Sequence, residues 1–539
     1  MKGRLKYGIA AAAVYAACTG LFHLLNVLDG VRAVNDPLNL RLYCLLLAAA
    51  LAGAVLFGRA FLLKGTALPR LFFASGLFLG LLYMCVMPGL SAPDEMSHYI
   101  SAYRISNVMT GQPALTEAGL VGVRPGDYIL EDLSGVKTPE IPDDEEPKAE
   151  ILGNPVTFHT YRQVLSWDRM YPAGDASGAL VSSGLADVRT TPVMYLPQAA
   201  GMSAARLLGL NAPGLIFLGR LMNLLVFLLL SAAAIRTAPF GKELFFGSAL
   251  LPMSLHLAAS LSYDAGIIGT SFLFTACILR LAYEKERVTA WDGLLLCALA
   301  AVLGPCKMIY SALILLIFLI PEKRFARGRA GKALLFIAVL ISLSAAMYAV
   351  NAATIASYAG ADAGAVTVRA EQAAGYSVSE LIRRPVFILR MLGATFAAQS
   401  DELLCGMTGM WLGNLDPLLG IPYYAVLLLT LALFVMALSV PGEELKMSPA
   451  ARLFTAAVCV LVVLLASGAM LVSWTSRDSS VIQGLQGRYF LPVLPAALLI
   501  IRNELVVLRS DCRRYILYFM LVLDLGTLLR LFALACLRI

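Results

Sequence analysis

The chain has 539 residues, of which 59% are hydrophobic and 14% charged, and its mean hydropathy of +0.77 excludes a soluble globular domain of this length. Its net charge of +7 requires no nucleic acid, because Lys and Arg gather in short loops between apolar runs, where they orient a membrane protein. The ten cysteines fall mostly within those runs, which speaks against the disulfide framework of a secreted domain.

Runs long enough to cross roughly 30 Å of hydrocarbon recur along most of the chain. The expected fold class is therefore an all-α polytopic membrane protein with about 13 transmembrane helices. Met1 to Lys6 ahead of an apolar run has the layout of a signal peptide, but the length of the run and the spans behind it point to an uncleaved first helix. Spans over about 7–28, 40–62 and 70–88 form an N-terminal unit, 1–90. A polar region, 91–212, follows as a first large outer loop. It holds the acidic run Pro142-Asp-Asp-Glu-Glu-Pro147, which reads as a solvated tip, and Thr191-Pro-Val-Met-Tyr-Leu-Pro197, which opens an amphipathic stretch along the membrane surface.

The central unit, 213–352, carries spans over about 213–235, 244–260, 264–283, 291–305, 308–320 and 333–352. A second large outer loop, 353–420, contains an amphipathic segment from Leu381 to Ala398. The last unit, 421–539, carries spans over about 421–440 and 452–473, one that begins at Gln486-Gly-Arg-Tyr-Phe-Leu-Pro492, and one over about 515–536. With the N-terminus inside, basic residues fall in every inner loop, most densely from Lys323 to Lys332. Asp524 and Arg530, within the last span, read as a structural pair or as an error in its boundary.

The rest is organised around Ser91-Ala-Pro-Asp-Glu-Met-Ser-His-Tyr99. Ser91 is expected to cap a helix whose first turn holds Pro93, Asp94 and Glu95, since that end tolerates proline and favours negative charge. Met96, Tyr99, Ile100 and Tyr103 then share an apolar face, and Asp94 and His98 share another. The helix is predicted to lie at the membrane surface. Under this threading Asp94, Glu95, His98, Asp264, Lys307 and Arg488 all sit near outer ends of spans, distant in sequence but at one depth. Plainer readings stand beside that one: Asp94 and Glu95 favour the helix dipole, His98 packs, Asp264 caps its span, and Lys307 and Arg488 anchor by snorkelling.

Pro93-Asp-Glu-Met-Ser-His98, Ser262-Tyr-Asp264 and Gln486 to Pro492, with Pro192 to Pro197 and Arg220-Leu-Met-Asn223 between them, resemble the predicted bacterial membrane proteins catalogued as a domain of unknown function (DUF2142). That family in turn resembles the GT-C glycosyltransferases, including protein mannosyltransferases, aminoarabinose transferases and oligosaccharyltransferases. The likeness runs from about Asp94 to Pro495. One departure stands out: the superfamily's acidic pair usually follows the first span, whereas here it follows the third.

The resemblance implies a GT-C-like bundle in a bacterial cytoplasmic membrane, with the N-terminus cytoplasmic and the site extracytoplasmic. It implies transfer of a sugar from a polyprenyl-phosphate donor, with inversion, to a hydroxyl of a glycan, lipid or protein acceptor. Asp94 is then the base that takes the acceptor proton, and Glu95 orients the acceptor. Arg488, then Lys307, stabilises the departing phosphate. His98, Tyr99, Tyr263 and Tyr489 are auxiliary or acceptor-contacting residues. Asp264 with Asp94 or Glu95 is the place where a divalent cation, Mg or Mn, would bind, although no tight ligand spacing marks it. Two other classes compete: a transporter or flippase of lipid-linked glycans, which would place charges at mid-membrane and at both faces, and a non-catalytic scaffold of envelope assembly.

Overall fold

The computed structural model describes residues 2–34, 36–63, 65–117, 119–127, 156–158, 161, 180–183, 192–359, 375–414, 416, 419–443, 445–503 and 505–538. The acidic run from Pro142 to Pro147 lies outside them. Among the described residues the regular structure is helical apart from a two-residue antiparallel pairing of Gly122–Val123 with Val181–Ser182 and two isolated bridges, Leu115 with Val121 and Ser439 with Val507.

Proline sets many of the helix starts, because a first-turn residue loses no hydrogen bond by lacking an N–H. After α1 (Lys2–Val34) and α2 (Leu38–Leu62) come α3 (Leu68–Val86), α4 (Glu95–Met109), α5 (Leu196–Leu207) and α6 (Ala212–Thr237); α3, α5 and α6 each carry Pro in the first turn. Next are α7 (Lys242–Ala249), α8 (Pro252–Ala258), α9 (Asp264–Tyr283) and α10 (Ala290–Cys306), the last opened by a Thr289–Asp292 capping box. They are followed by α11 (Gly328–Ala359), α12 (Val378–Arg383), α13 (Pro385–Thr408), α14 (Tyr423–Ala437), α15 (Pro449–Ser473), α16 (Leu494–Ile501) and α17 (Arg513–Leu537).

The protein is an all-α polytopic membrane protein. Among the described residues eight helices, α1, α2, α3, α6, α9, α11, α15 and α17, are long and apolar enough to cross a membrane. The other expected spans take different forms. The one expected over about 244–260 is broken at Leu251–Pro252 into α7 and α8, since Pro252 cannot donate to the preceding turn. That expected over about 308–320 is a 3₁₀ helix, Met308–Leu319, whose rise of about 2 Å per residue stretches twelve residues over about 24 Å. The segment from Gln486 begins as a 3₁₀ turn, Gly487–Val493, before α16. In the last span, Asp524 and Arg530 are neither a pair nor a boundary error. Both lie inside α17, where Asp524 accepts from the Tyr83 hydroxyl at 3.4 Å and the Arg530 Nε donates to the Gly420 carbonyl at 3.1 Å.

The core lies where α3, α6, α8 and α9 pack, with α5 laid against α6 and α4 against α5. The crossing of α5 and α6 is close enough that a Cβ on Gly201 would overlap the Leu218 carbonyl. The helices α1, α2 and α17 pack on one another, and α17 joins them to α3. What this arrangement does for the site is to bring the C-terminal ends of α3 and α10 and the N-terminal ends of α4, α9 and the Gly487 turn to one end of the bundle.

Candidate functional site at one end of the bundle

The corner between α3 and α4 is bent by two residues in left-handed backbone, Leu90 at φ 64° and Asp94 at φ 56°; among the described residues no other non-glycine adopts it. Aspartate tolerates that region, whereas leucine pays about 1–2 kcal/mol for it. Strain of this kind collects at functional corners. Ser91 does not cap the helix: its Oγ donates to the Pro88 carbonyl at 2.7 Å, and α4 begins at Glu95 with Asp94 as the preceding residue. The Asp94 carboxylate makes no capping bond and its side chain is 66% exposed.

Glu95 lies the other way. Its side chain is wholly buried, and the Arg220 guanidinium of α6 grips both oxygens at 2.8 and 2.6 Å. The backbone N–H groups of Leu261 and Ala92 donate to the same carboxylate at 2.8 and 3.0 Å, and Arg220 also donates to the carbonyls of Met87 and Pro88 at 2.7 Å each. Burial by itself would raise the Glu95 pKa, but Arg220 and the two N–H groups together hold it below the usual carboxylate range. With every strong bond taken, Glu95 ties the α3–α4 corner to α6 and to the loop before α9. It positions Asp94; it has no face left for an acceptor.

That loop, Ser262-Tyr-Asp264, is hung from α6 by Asn223, whose Nδ2 donates to the carbonyls of Ser260 and Ser262 at 2.7 and 3.0 Å, while Gln198 of α5 donates to the Asn223 Oδ1 at 2.9 Å. Asp264 thereby opens α9 facing two cations. The Lys307 ammonium, at the extended break after Pro305, reaches the Asp264 Oδ1 at 2.7 Å. The Arg488 Nε faces the Asp264 Oδ2 at 3.8 Å, and the Arg488 Nη2 donates to the Asp94 Oδ2 at 3.1 Å. Lys307 lies over the rings of Tyr489 and Tyr263, 4.5 and 5.3 Å from their centroids, and Arg488 lies 5.7 Å from that of Tyr489. The Tyr310 hydroxyl donates to the Tyr489 carbonyl at 2.9 Å, which fixes the turn carrying Arg488.

His98 completes the cluster from α4. Its Nδ1 meets the Tyr195 hydroxyl at 2.7 Å, and its ring stands edge-on to Tyr263 at 5.0 Å. Burial pushes the His98 pKa down to about 4 against the pull of the Asp94 and Asp264 carboxylates, so the ring is neutral at pH 7. Tyr99 points away: its hydroxyl approaches the Asp127 carbonyl at 3.4 Å in a separate knot with Tyr103 and Arg124. With Glu95 turned to Arg220, it is the second expected site residue that the fold directs away from the cluster. At the place expected for a divalent cation, the Asp264 oxygens face Lys307 and Arg488, Glu95 is engaged by Arg220, the Asp94 carboxylate lies exposed beside Arg488, and no three His, Cys, Asp or Glu side chains gather among the described residues.

Arg220, Asn223, Gln198, Tyr195 and Tyr310 build the site without standing among its expected residues. The signal for two of them was there, since an Arg and an Asn inside an apolar span are costly unless they hold something.

Comparison with curated proteins and with solved structures found no match. Residues 77–497, from the second half of α3 to the middle of α16, match the family model described as predicted membrane protein, DUF2142. The whole cluster from Asp94 to Tyr489 falls inside that match, α1, α2 and α17 fall outside it, and the chain belongs to this family.

Proposed function

We propose that the protein is an inverting membrane glycosyltransferase, moving a sugar from a polyprenyl-phosphate donor to an acceptor hydroxyl on the extracytoplasmic face of a bacterial membrane. The observation that carries this reading is the exposed Asp94 carboxylate held against the buried Arg488 guanidinium, with Lys307 close by. The reaction needs a base for the acceptor proton and fixed positive charge for the phosphate that leaves. Arg488 and Lys307 supply that charge. The Asp94–Arg488 pair is the resting arrangement; donor and acceptor enter from the exposed Asp94 side and separate the two. Asp94 then takes the hydroxyl proton as oxygen attacks the anomeric carbon, and the released phosphate oxygens take over the Arg488 N–H groups. The neutral His98 and Tyr195 wall the cluster without adding charge.

A transporter of lipid-linked glycan would require ionisable groups along a route through the bundle and at both faces; Asp524 and Arg530 lie inside α17, but the cluster of Asp94, Asp264, Lys307 and Arg488 stands at one end, which supports the enzyme. The test is incorporation of radiolabel from a panel of polyprenyl-phosphate sugars into envelope material by membranes carrying wild type or Asp94→Asn at equal abundance. Transfer lost only in the variant is the expected result. Movement of lipid-linked glycan between leaflets by purified protein, with no transfer by either, would overturn the enzyme; inertness in both assays would favour the scaffold.

A further inference from the structure

Between α13 and the Gln486–Arg488 stretch runs a cleft of about 80 Å³, lined among others by Gln399, Glu402, Trp411, Gln486, Gly487 and Arg488. Its polar lining is only partly paired within the chain. Among the described residues the Gln486 Oε1 and the Arg488 Nε and Nη1 are buried without a hydrogen-bond partner, Nε facing Asp264 only at 3.8 Å, and Arg488 is 6% exposed. Buried donors left unpaired are costly and are kept where something else pairs them. Helix α13 is also bent here, with Gln399 at φ −128° and ψ 16°, outside the helical region. The bend falls at the wall of the cleft.

We propose that this cleft selects the sugar that is transferred, binding a hexose ring directly linked to a phosphate. Its two chemistries lie side by side. The free Arg488 N–H groups fit the oxyanion, while the amides of Gln399 and Gln486 and the carboxylate of Glu402 fit ring hydroxyls, and the half-buried Trp411 indole fits the C–H face of a pyranose. A bare anion leaves the amide wall unused, and an uncharged sugar leaves the Arg488 Nε and Nη1 without an acceptor, so the linked pair is the matched ligand. This rests on the glycosyl-transfer reading and adds to it the residues that read the ring.

The experiment measures binding to the full chain in nanodiscs by isothermal titration calorimetry, with hexose 1-phosphates, the matching methyl hexosides, inorganic phosphate and a short-chain prenyl-phosphoryl hexose. At least one hexose 1-phosphate is expected to bind tenfold or more tightly than inorganic phosphate or its methyl hexoside. Gln399→Ala and Trp411→Leu should each weaken it about tenfold while leaving inorganic phosphate unchanged, which also reports that the fold is intact. Tighter binding of the prenyl compound assigns the head group to a lipid donor, and equal binding to a soluble sugar phosphate. Equal affinity for phosphate and sugar phosphate, indifference to both variants, or no binding at all overturns the proposal. Loss of the proposed function has a separate signature: the cleft binds and its variants respond, but no label is transferred.

Discussion

The Arg488 Nη2 reaches the Asp94 Oδ2 at 3.1 Å across 394 positions of sequence, and the two side chains differ sharply in burial, 5% against 66% exposed. One partner is fixed and the other free to swing, which is the asymmetry an active pair needs if substrate is to come between them. An exposed partner also makes the ion pair itself worth little to the fold, on the order of 0–1 kcal/mol. Asp94 can therefore be altered without dismantling the corner.

Asp94→Asn is expected to reduce transfer about 10²-fold or more while abundance and melting stay near wild type, because asparagine accepts the left-handed backbone and lacks the basic oxygen. Asp94→Ala should lose transfer equally and also melt lower by about 1 kcal/mol, the cost of alanine at positive φ. Radiolabel transfer and thermal melting of the same preparations separate the two effects.

Glu95 calls for the opposite outcome. Glu95→Gln leaves the buried Arg220 without its counter-charge, and breaking such a pair costs about 3–5 kcal/mol. Membrane abundance and melting temperature should both fall. Glu95→Leu combined with Arg220→Met should recover part of the loss, with the amides of Ala92 and Leu261 still unpaired. A Glu95→Gln protein that melts like wild type yet transfers nothing would return Glu95 to the chemistry.

The contrast between these neighbours shows how far the sequence could be read. Hydropathy and the spacing of basic residues are one-dimensional signals, and they exposed the helical membrane class and the common depth of Asp94, Asp264, Lys307 and Arg488. Which of two adjacent acids faces outward depends on the left-handed turn at Asp94, and that corner is held by Arg220 of α6, 125 positions from Glu95, which grips the Glu95 carboxylate and the carbonyls of Met87 and Pro88. Tyr99 was misplaced for a related reason: its position on the apolar face was legible, but the knot it joins is built around Asp127, 28 positions away. The broken α7–α8 pair and the 3₁₀ helix at Met308–Leu319 likewise share their apolar composition with straight spans, and only Pro252 marked one of the two beforehand.

His98 and Glu95 give the site a pH dependence of definite sign. The unfolded chain takes up a proton on histidine near pH 6.5, whereas the buried His98 does so only at about 4. The folded state binds fewer protons in that interval, so stability falls as the pH drops from about 6.5 towards 4. Glu95, held below its usual range, adds a further loss below the unfolded carboxylate pKa of about 4.3. Melting temperature followed from pH 7.5 to 4.5 should decline, and His98→Gln should flatten the upper part of the decline. An unchanged slope in that variant would mean that His98 is not the residue held neutral.

Gly487 tests the seat of the guanidinium. A Cβ at this position would overlap the Leu403 carbonyl oxygen and come 2.9 Å from its carbon, so the 3₁₀ turn can lie on α13 only while residue 487 is glycine. The turn carries Arg488 and Tyr489, and any retreat from α13 withdraws the guanidinium from both Asp94 and Asp264. Gly487→Ala should therefore destabilise by about 1–3 kcal/mol, as overpacking does, and lower transfer further than the loss of folded protein explains. Gly393→Ala in the same helix is the control, since nothing lies within 4 Å of its added Cβ and alanine favours the helix by about 0.5–1 kcal/mol. Equal transfer and equal melting in the two variants would mean that the turn tolerates displacement and that Arg488 is positioned by something other than its contact with α13.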